Sequence, residues 1–122
     1  MKTIKACLLV VALVACDRTS VKPEQQILGK WEEFYVGNGE YQPPIANPLA
    51  SWHFLPDSVL LEYEYATKKT RERKYWIDTL LNIGTPGGYK SFYTAKFYGD
   101  TMELRHENRT AIFYVSKWKR IN

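Results

Sequence analysis

The sequence predicts an all-β domain of about eight short antiparallel strands behind an N-terminal address segment. Three observations carry this. Four Trp, nine Tyr and five Phe, with many β-branched residues, suit a pleated, half-buried surface. Turn signals built from Gly, Pro, Asn and Asp recur at short intervals from Gly37 onward. After Cys16 no stretch carries apolar residues at helical spacing. Strands so short and so regularly spaced fold as an antiparallel sandwich or a closed up-and-down barrel.

The chain starts with Met1 to Lys5, which holds two lysines and no acid. Ala6 to Ala15 is apolar throughout, a run of ten residues. A membrane-spanning helix needs about twice that length, roughly 20 residues. A basic head, a short apolar middle and small residues before a polar break describe a secretory signal over residues 1–15. The competing reading is a core helix with a buried cysteine; the lysines at the extreme N-terminus favour export.

Leu13-Val14-Ala15-Cys16 resembles the lipobox of bacterial lipoproteins. That resemblance implies a diacylglyceryl group on the Cys16 sulfur, cleavage before Cys16 and acylation of the new amine. Each buried lipid methylene contributes about 0.8 kcal/mol and a single chain holds only marginally, so the two or three chains implied would anchor firmly. Residues 16–26 then read as the lipidated cysteine and a polar tether containing Pro23. Localisation is expected at the cell envelope, membrane-anchored.

Residues 27–122 suffice for one domain. The chain's formal charge of +4 overstates how basic the mature protein is, since Lys2 and Lys5 leave with the signal. Cys7 leaves too and Cys16 takes the lipid, so no disulfide framework is expected and the core must hold the fold.

A first strand is predicted over 27–36, closed by Gly37-Asn38-Gly39. Tyr41 to Ala50 holds three prolines and reads as a loop. A short strand follows over 51–55, then a Pro56-Asp57 turn. Val59, Leu61, Tyr63 and Tyr65 alternate with Leu60, Glu62 and Glu64, which predicts a half-buried strand with the first set inward. A strand over 71–78 should turn Tyr75 and Ile77 inward, and residues 79–83 continue it or begin another. Gly84 to Gly88 is a loop, 91–98 a strand, Gly99-Asp100 a hairpin turn, 102–106 its partner and 110–121 a long last strand.

Gly29-Lys30-Trp31 on the first strand resembles the Gly-x-Trp motif of lipocalins. The likeness implies an up-and-down barrel whose tryptophan packs at the closed end against an arginine from the last strand, for which Arg120 is the candidate. Physical chemistry agrees: glycine admits a bulky neighbour to the backbone, and a tryptophan can plug a small barrel while its N–H finds a carbonyl. The chain is shorter than a typical lipocalin and shows no helix after the barrel.

Function is read as burial rather than chemistry, and no enzyme is expected. Candidate lining residues for a small apolar or amphipathic ligand are Trp52, Phe54, Leu61, Tyr63, Tyr75, Ile77, Phe97 and Leu104; the plainer reading makes them core. Lys68, Lys69, Arg71, Arg73, Lys74 and Trp76 form a basic, aromatic run suited to an envelope protein partner, a glycan or anionic headgroups, or a solvated hairpin tip. Such a run can also hold single strands, but an exported chain implies no nucleic-acid partner. Ser58, Thr79 and Thr101 each follow an Asp and precede an aliphatic residue. The pattern is similar to an O-glycosylation motif of envelope proteins in some Gram-negative bacteria, and is equally ordinary turn chemistry. His53 and His106 lack partners at metal-ligand spacing, and Asp57-Ser58 lacks nucleophile-elbow glycines, so neither a metal nor a catalytic triad is expected. No cofactor is implied. The partners expected are the membrane, through the lipid on Cys16, a small hydrophobic ligand and an envelope protein.

Overall fold

Eight strands form in chain order: β1 (Gly29–Gly37), β2 (Ala50–Phe54), β3 (Val59–Glu64), β4 (Lys69–Ile77), β5 (Leu81–Gly84), β6 (Lys90–Tyr98), β7 (Thr101–His106) and β8 (Val115–Ile121). The computed structural model describes residues 21–39, 43–84, 88–107 and 114–122. The signal segment, Cys16 and the first part of the tether lie outside the described residues, as does the expected strand start at Thr110. Each strand pairs antiparallel with the next, and β8 returns to pair with β1 from Lys30↔Ile121 to Gly37↔Val115. The barrel is closed, so none of these eight strands leaves an unpaired edge.

One element departs from the expected tether. Pro23–Gln26 make a single helical turn, α1, with Pro23 at its start. Proline suits that position because its fixed φ matches a helix and the missing N–H has no helical partner there. The next residue, Ile27, is fully buried in the barrel core. The structured unit therefore begins ahead of the first strand.

Strand periodicity sorts the side chains into a lumen face and an outer face. Ile27, Trp31, Phe54, Leu60, Tyr75, Leu81, Ile83, Met102, Leu104 and Trp118 form one apolar core, with Trp52, Ile77, Tyr93, Ala95 and Phe97 against it. Six of the eight expected lining residues thus face inward. Leu61 and Tyr63 do not, and the phase of β3 is the reverse of that expected. Leu60 pairs with the buried Phe54, which puts Leu60, Glu62 and Glu64 on the lumen face and Leu61 and Tyr63 outside. Val59-Leu60-Leu61 is apolar in both phases, so alternation alone did not fix the face; pairing with Phe54 did.

β1 carries an irregularity that bears on the site. Glu33 pairs with Trp118 and Tyr35 with Lys117, leaving Phe34 as an extra residue in a bulge. The Phe34 carbonyl accepts the Ile45 N–H at 2.9 Å. Beyond the bulge Tyr35 faces outward, buried, with the Lys117 ammonium 4.9 Å from its ring centre.

Candidate functional site at the open end

The two ends of the barrel differ. At the end carrying the β2–β3, β4–β5 and β6–β7 turns, α1 and Trp31 close the lumen. Trp31 is fully buried and donates its indole N–H to the Ile27 carbonyl at 2.8 Å. Arg120 lies over the Trp31 ring, 4.2 Å from its centre, and donates to the carbonyls of Leu28 and Gln26 at 2.7 Å each. Gly29 sits at φ +116, and a Cβ there would lie 2.9 Å from Arg120 Nη1. The glycine is thus required by its backbone angle and by the guanidinium beside it. The Trp31–Arg120 contact is the one anticipated from the sequence.

Among the described residues the opposite end, here called the open end, carries charged side chains on the lumen face and no counterpart of the Trp31 plug. Cross-strand pairs on the lumen face of β3 and β4 are Leu60↔Arg73, Glu62↔Arg71 and Glu64↔Lys69. Arg73 Nε lies 3.4 Å from Glu62 Oε2, both side chains largely buried, yet this N–H makes no hydrogen bond. A pocket of about 320 Å³ at this rim is lined by Ala50, Glu62, Tyr63, Glu64, Thr67, Lys69 and Arg71. Its size falls at the lower end for small-ligand sites, roughly 300–1,000 Å³.

Glu33 stands deeper on the lumen face of β1, two residues past Trp31 and opposite Trp118. Burial pushes its carboxyl up to about 7. Burial also raises Glu62, against the pull of Arg73 and Arg71. Aromatic rings wall this region. Trp52 and Trp118 lie 4.3 Å apart, Trp52 meets Tyr93 edge-on at 6.5 Å, and Tyr93 meets His106 at 4.9 Å. Burial raises the Tyr93 hydroxyl; a hydrogen bond to Ser91 and the Arg73 charge pull it down, while Glu62 and Glu33 push it further up. Glu33, Glu62, Arg73 and Tyr93 therefore share one neighbourhood.

Other sequence-predicted residues are placed as follows. The basic run divides by alternation: Lys69, Arg71 and Arg73 follow the lumen face, while Lys74 and Trp76 face outward and Lys68 occupies the β3–β4 turn at φ 58. Ser58, Thr79 and Thr101 all sit at the closed end, in or beside its three turns. Turn chemistry accounts for the Asp at one of them, since Asp78 Oδ1 accepts the Leu80 N–H at 2.9 Å and the Asn82 amide at 3.2 Å. Among the described residues no three His, Cys, Asp or Glu side chains group so as to hold a metal. Sequence reasoning missed Glu33, although its two-residue spacing from Trp31 was the available signal.

Comparison of the sequence with models of known protein families and with curated proteins gives no match.

Proposed function

We propose that this chain is a lipid-anchored cell-envelope protein whose barrel holds a small amphipathic ligand at its open end, without chemistry on it. The observation that supports this reading is the asymmetry of the barrel. One end is plugged by Trp31, Arg120 and α1. The other offers a pocket of about 320 Å³ with charged walls and aromatic rings beneath. An eight-stranded barrel has an interior that side chains fill or that admits one small ligand. Here the apolar core fills the closed half, so the ligand is small and its polar part stays near the rim.

The anchor adds an orientation. Six residues separate Cys16 from Pro23. At about 3.5 Å per residue they reach no further than about 25 Å. Lipid on Cys16 would therefore attach the barrel through its plugged end, with the mouth at the end opposite the attachment. The test is native mass spectrometry of the full chain, extracted from a bacterial envelope in mild detergent. The expected spectrum shows a lipidated Cys16 and a bound small molecule that leaves on denaturation. A clean protein mass that persists after challenge with an envelope lipid extract overturns the ligand reading, and an unmodified Cys16 overturns the anchor.

A second reading has its own observation. Trp76, Asn82 and Phe92 stand in one cross-strand row on the outer face, and Trp76 and Phe92 are 39% and 40% exposed. Lys90 lies 5.5 Å over the Trp76 ring. Such a row suits an envelope protein or glycan partner. Crosslinking from position 76 that captures a partner, and loses it in Phe92→Ser, would favour this surface.

A further inference from the structure

We propose that the Glu33 carboxylate, at the β1 bulge and beside the Trp118–Trp52 pair and Tyr93, receives the ammonium group of a small amphipathic amine entering through the open end. This names the ligand class for the reading above and rests on it.

The first ground is charge pairing. Glu62 has Arg73 at 3.4 Å and Arg71 across the strand pair, and Glu64 stands opposite Lys69. Glu33 makes no hydrogen bond or ion pair among the described residues. A carboxylate withdrawn from water without a cation is costly to keep, so a group of this kind marks a functional site. The second ground is its walls. Aromatic faces attract cations, and a carboxylate set among them completes a receptor for an ammonium group. The third is backbone placement. Phe34, the extra residue of the bulge, directly follows Glu33, and bulges re-aim the side chains at their borders.

An anion is the poorer occupant. It would meet Glu33 and Glu62, and the Arg73 guanidinium already faces Glu62. Among the described residues, the titratable and charged groups facing this part of the lumen are Glu62 from β3, Arg71 and Arg73 from β4, Tyr93 from β6 and His106 from β7. β2, β5 and β8 contribute Trp52, Ile83 and Trp118 with Ser116, none of them charged. The Arg73 Nε–H without an acceptor favours an amine that also carries a hydroxyl or carbonyl oxygen.

The experiment titrates the full chain with 2-phenylethylamine, 2-phenylethanol and 3-phenylpropanoate, following tryptophan fluorescence and calorimetry. At pH 8 the amine should bind at least about tenfold tighter than the alcohol. That advantage should vanish in Glu33→Gln, the amine falling to within about twofold of the alcohol. In the unaltered protein the advantage should shrink at pH 5.5, where Glu33 holds its proton; this readout needs no variant. Equal binding of amine and alcohol, or an amine advantage that survives Glu33→Gln, overturns the assignment while leaving the open end a ligand site. Binding of none of the three overturns both.

Discussion

The closed and open ends are built from the same strands and use charge in opposite ways. At the closed end Arg120 is matched: two carbonyls accept its N–H groups and an aromatic face lies beneath it. At the open end, among the described residues, Glu33 has no hydrogen-bond or ion-pair partner and the Arg73 Nε–H has no acceptor. A satisfied buried charge specifies a structure, whereas an unsatisfied one waits for something to satisfy it. The largest expected effects therefore lie at the closed end.

Trp31→Ala should be the most damaging change. The side chain is fully buried, it carries the bond to Ile27, and its ring supports Arg120. Truncating a buried aromatic costs about 3–5 kcal/mol, which urea denaturation would register as a fall in midpoint. A loss below about 1 kcal/mol would mean the plug is not what closes this end.

Arg120→Ala comes next. It leaves the Leu28 and Gln26 carbonyls without their donors and removes the cation from the Trp31 face. Two charge-assisted bonds at a partly exposed site suggest a loss of about 2–3 kcal/mol. Hydrogen exchange should show faster opening of residues 23–28 than of β3 or β4. Uniform acceleration over the whole barrel would mean that α1 is an inseparable part of the fold.

Glu33→Gln should act in the other direction. Folded Glu33 keeps its proton up to about 7, from a reference of 4.5, so the native state binds more protons than the unfolded chain between those values. Stability contributed by the neutral form is complete below about 4.5 and is lost as pH rises through about 7. The amide never ionises and should abolish that decline. At pH 8 the variant should be more stable by about 1–2 kcal/mol, with solvent screening allowed for. At pH 4 the two proteins should melt together. A variant less stable at pH 8 would mean that Glu33 has a partner in the folded state.

The closed end was legible in the sequence and the open end largely was not. Gly29, Trp31 and Arg120 are specified by size, conformational freedom and charge, which single residues display. Strand number and the hairpin turns were legible as well, because Gly, Pro and Asp punctuate the chain. The open end depends on pairings between residues far apart in sequence. Arg71 and Arg73 read as part of one basic surface run until alternation and the register with Glu62 and Leu60 place them on the lumen face. The face of β3 could not be read from an apolar triplet. Glu32 and Glu33 are identical in type and adjacent in sequence, so only the strand phase separates them: Glu32 faces outward and accepts the Tyr65 hydroxyl at 2.6 Å.

The smallest stability effect is expected at the rim, and it is the sharpest test of the contrast. Lys69 and Arg71 are exposed and line the pocket. Exposed charges facing opposite charges across a strand pair contribute little, since water screens them. Lys69→Ala and Arg71→Ala should therefore shift stability by no more than about 0.5 kcal/mol. Arg71 also lowers the Glu62 carboxyl, so its loss should leave Glu62 more readily protonated. If the mouth exists for a ligand, Arg71→Ala should alter ligand affinity while the melting curve stays in place. Should it instead cost as much stability as Arg120→Ala, the open end would be a second structural plug, and the two ends would differ in composition rather than in purpose.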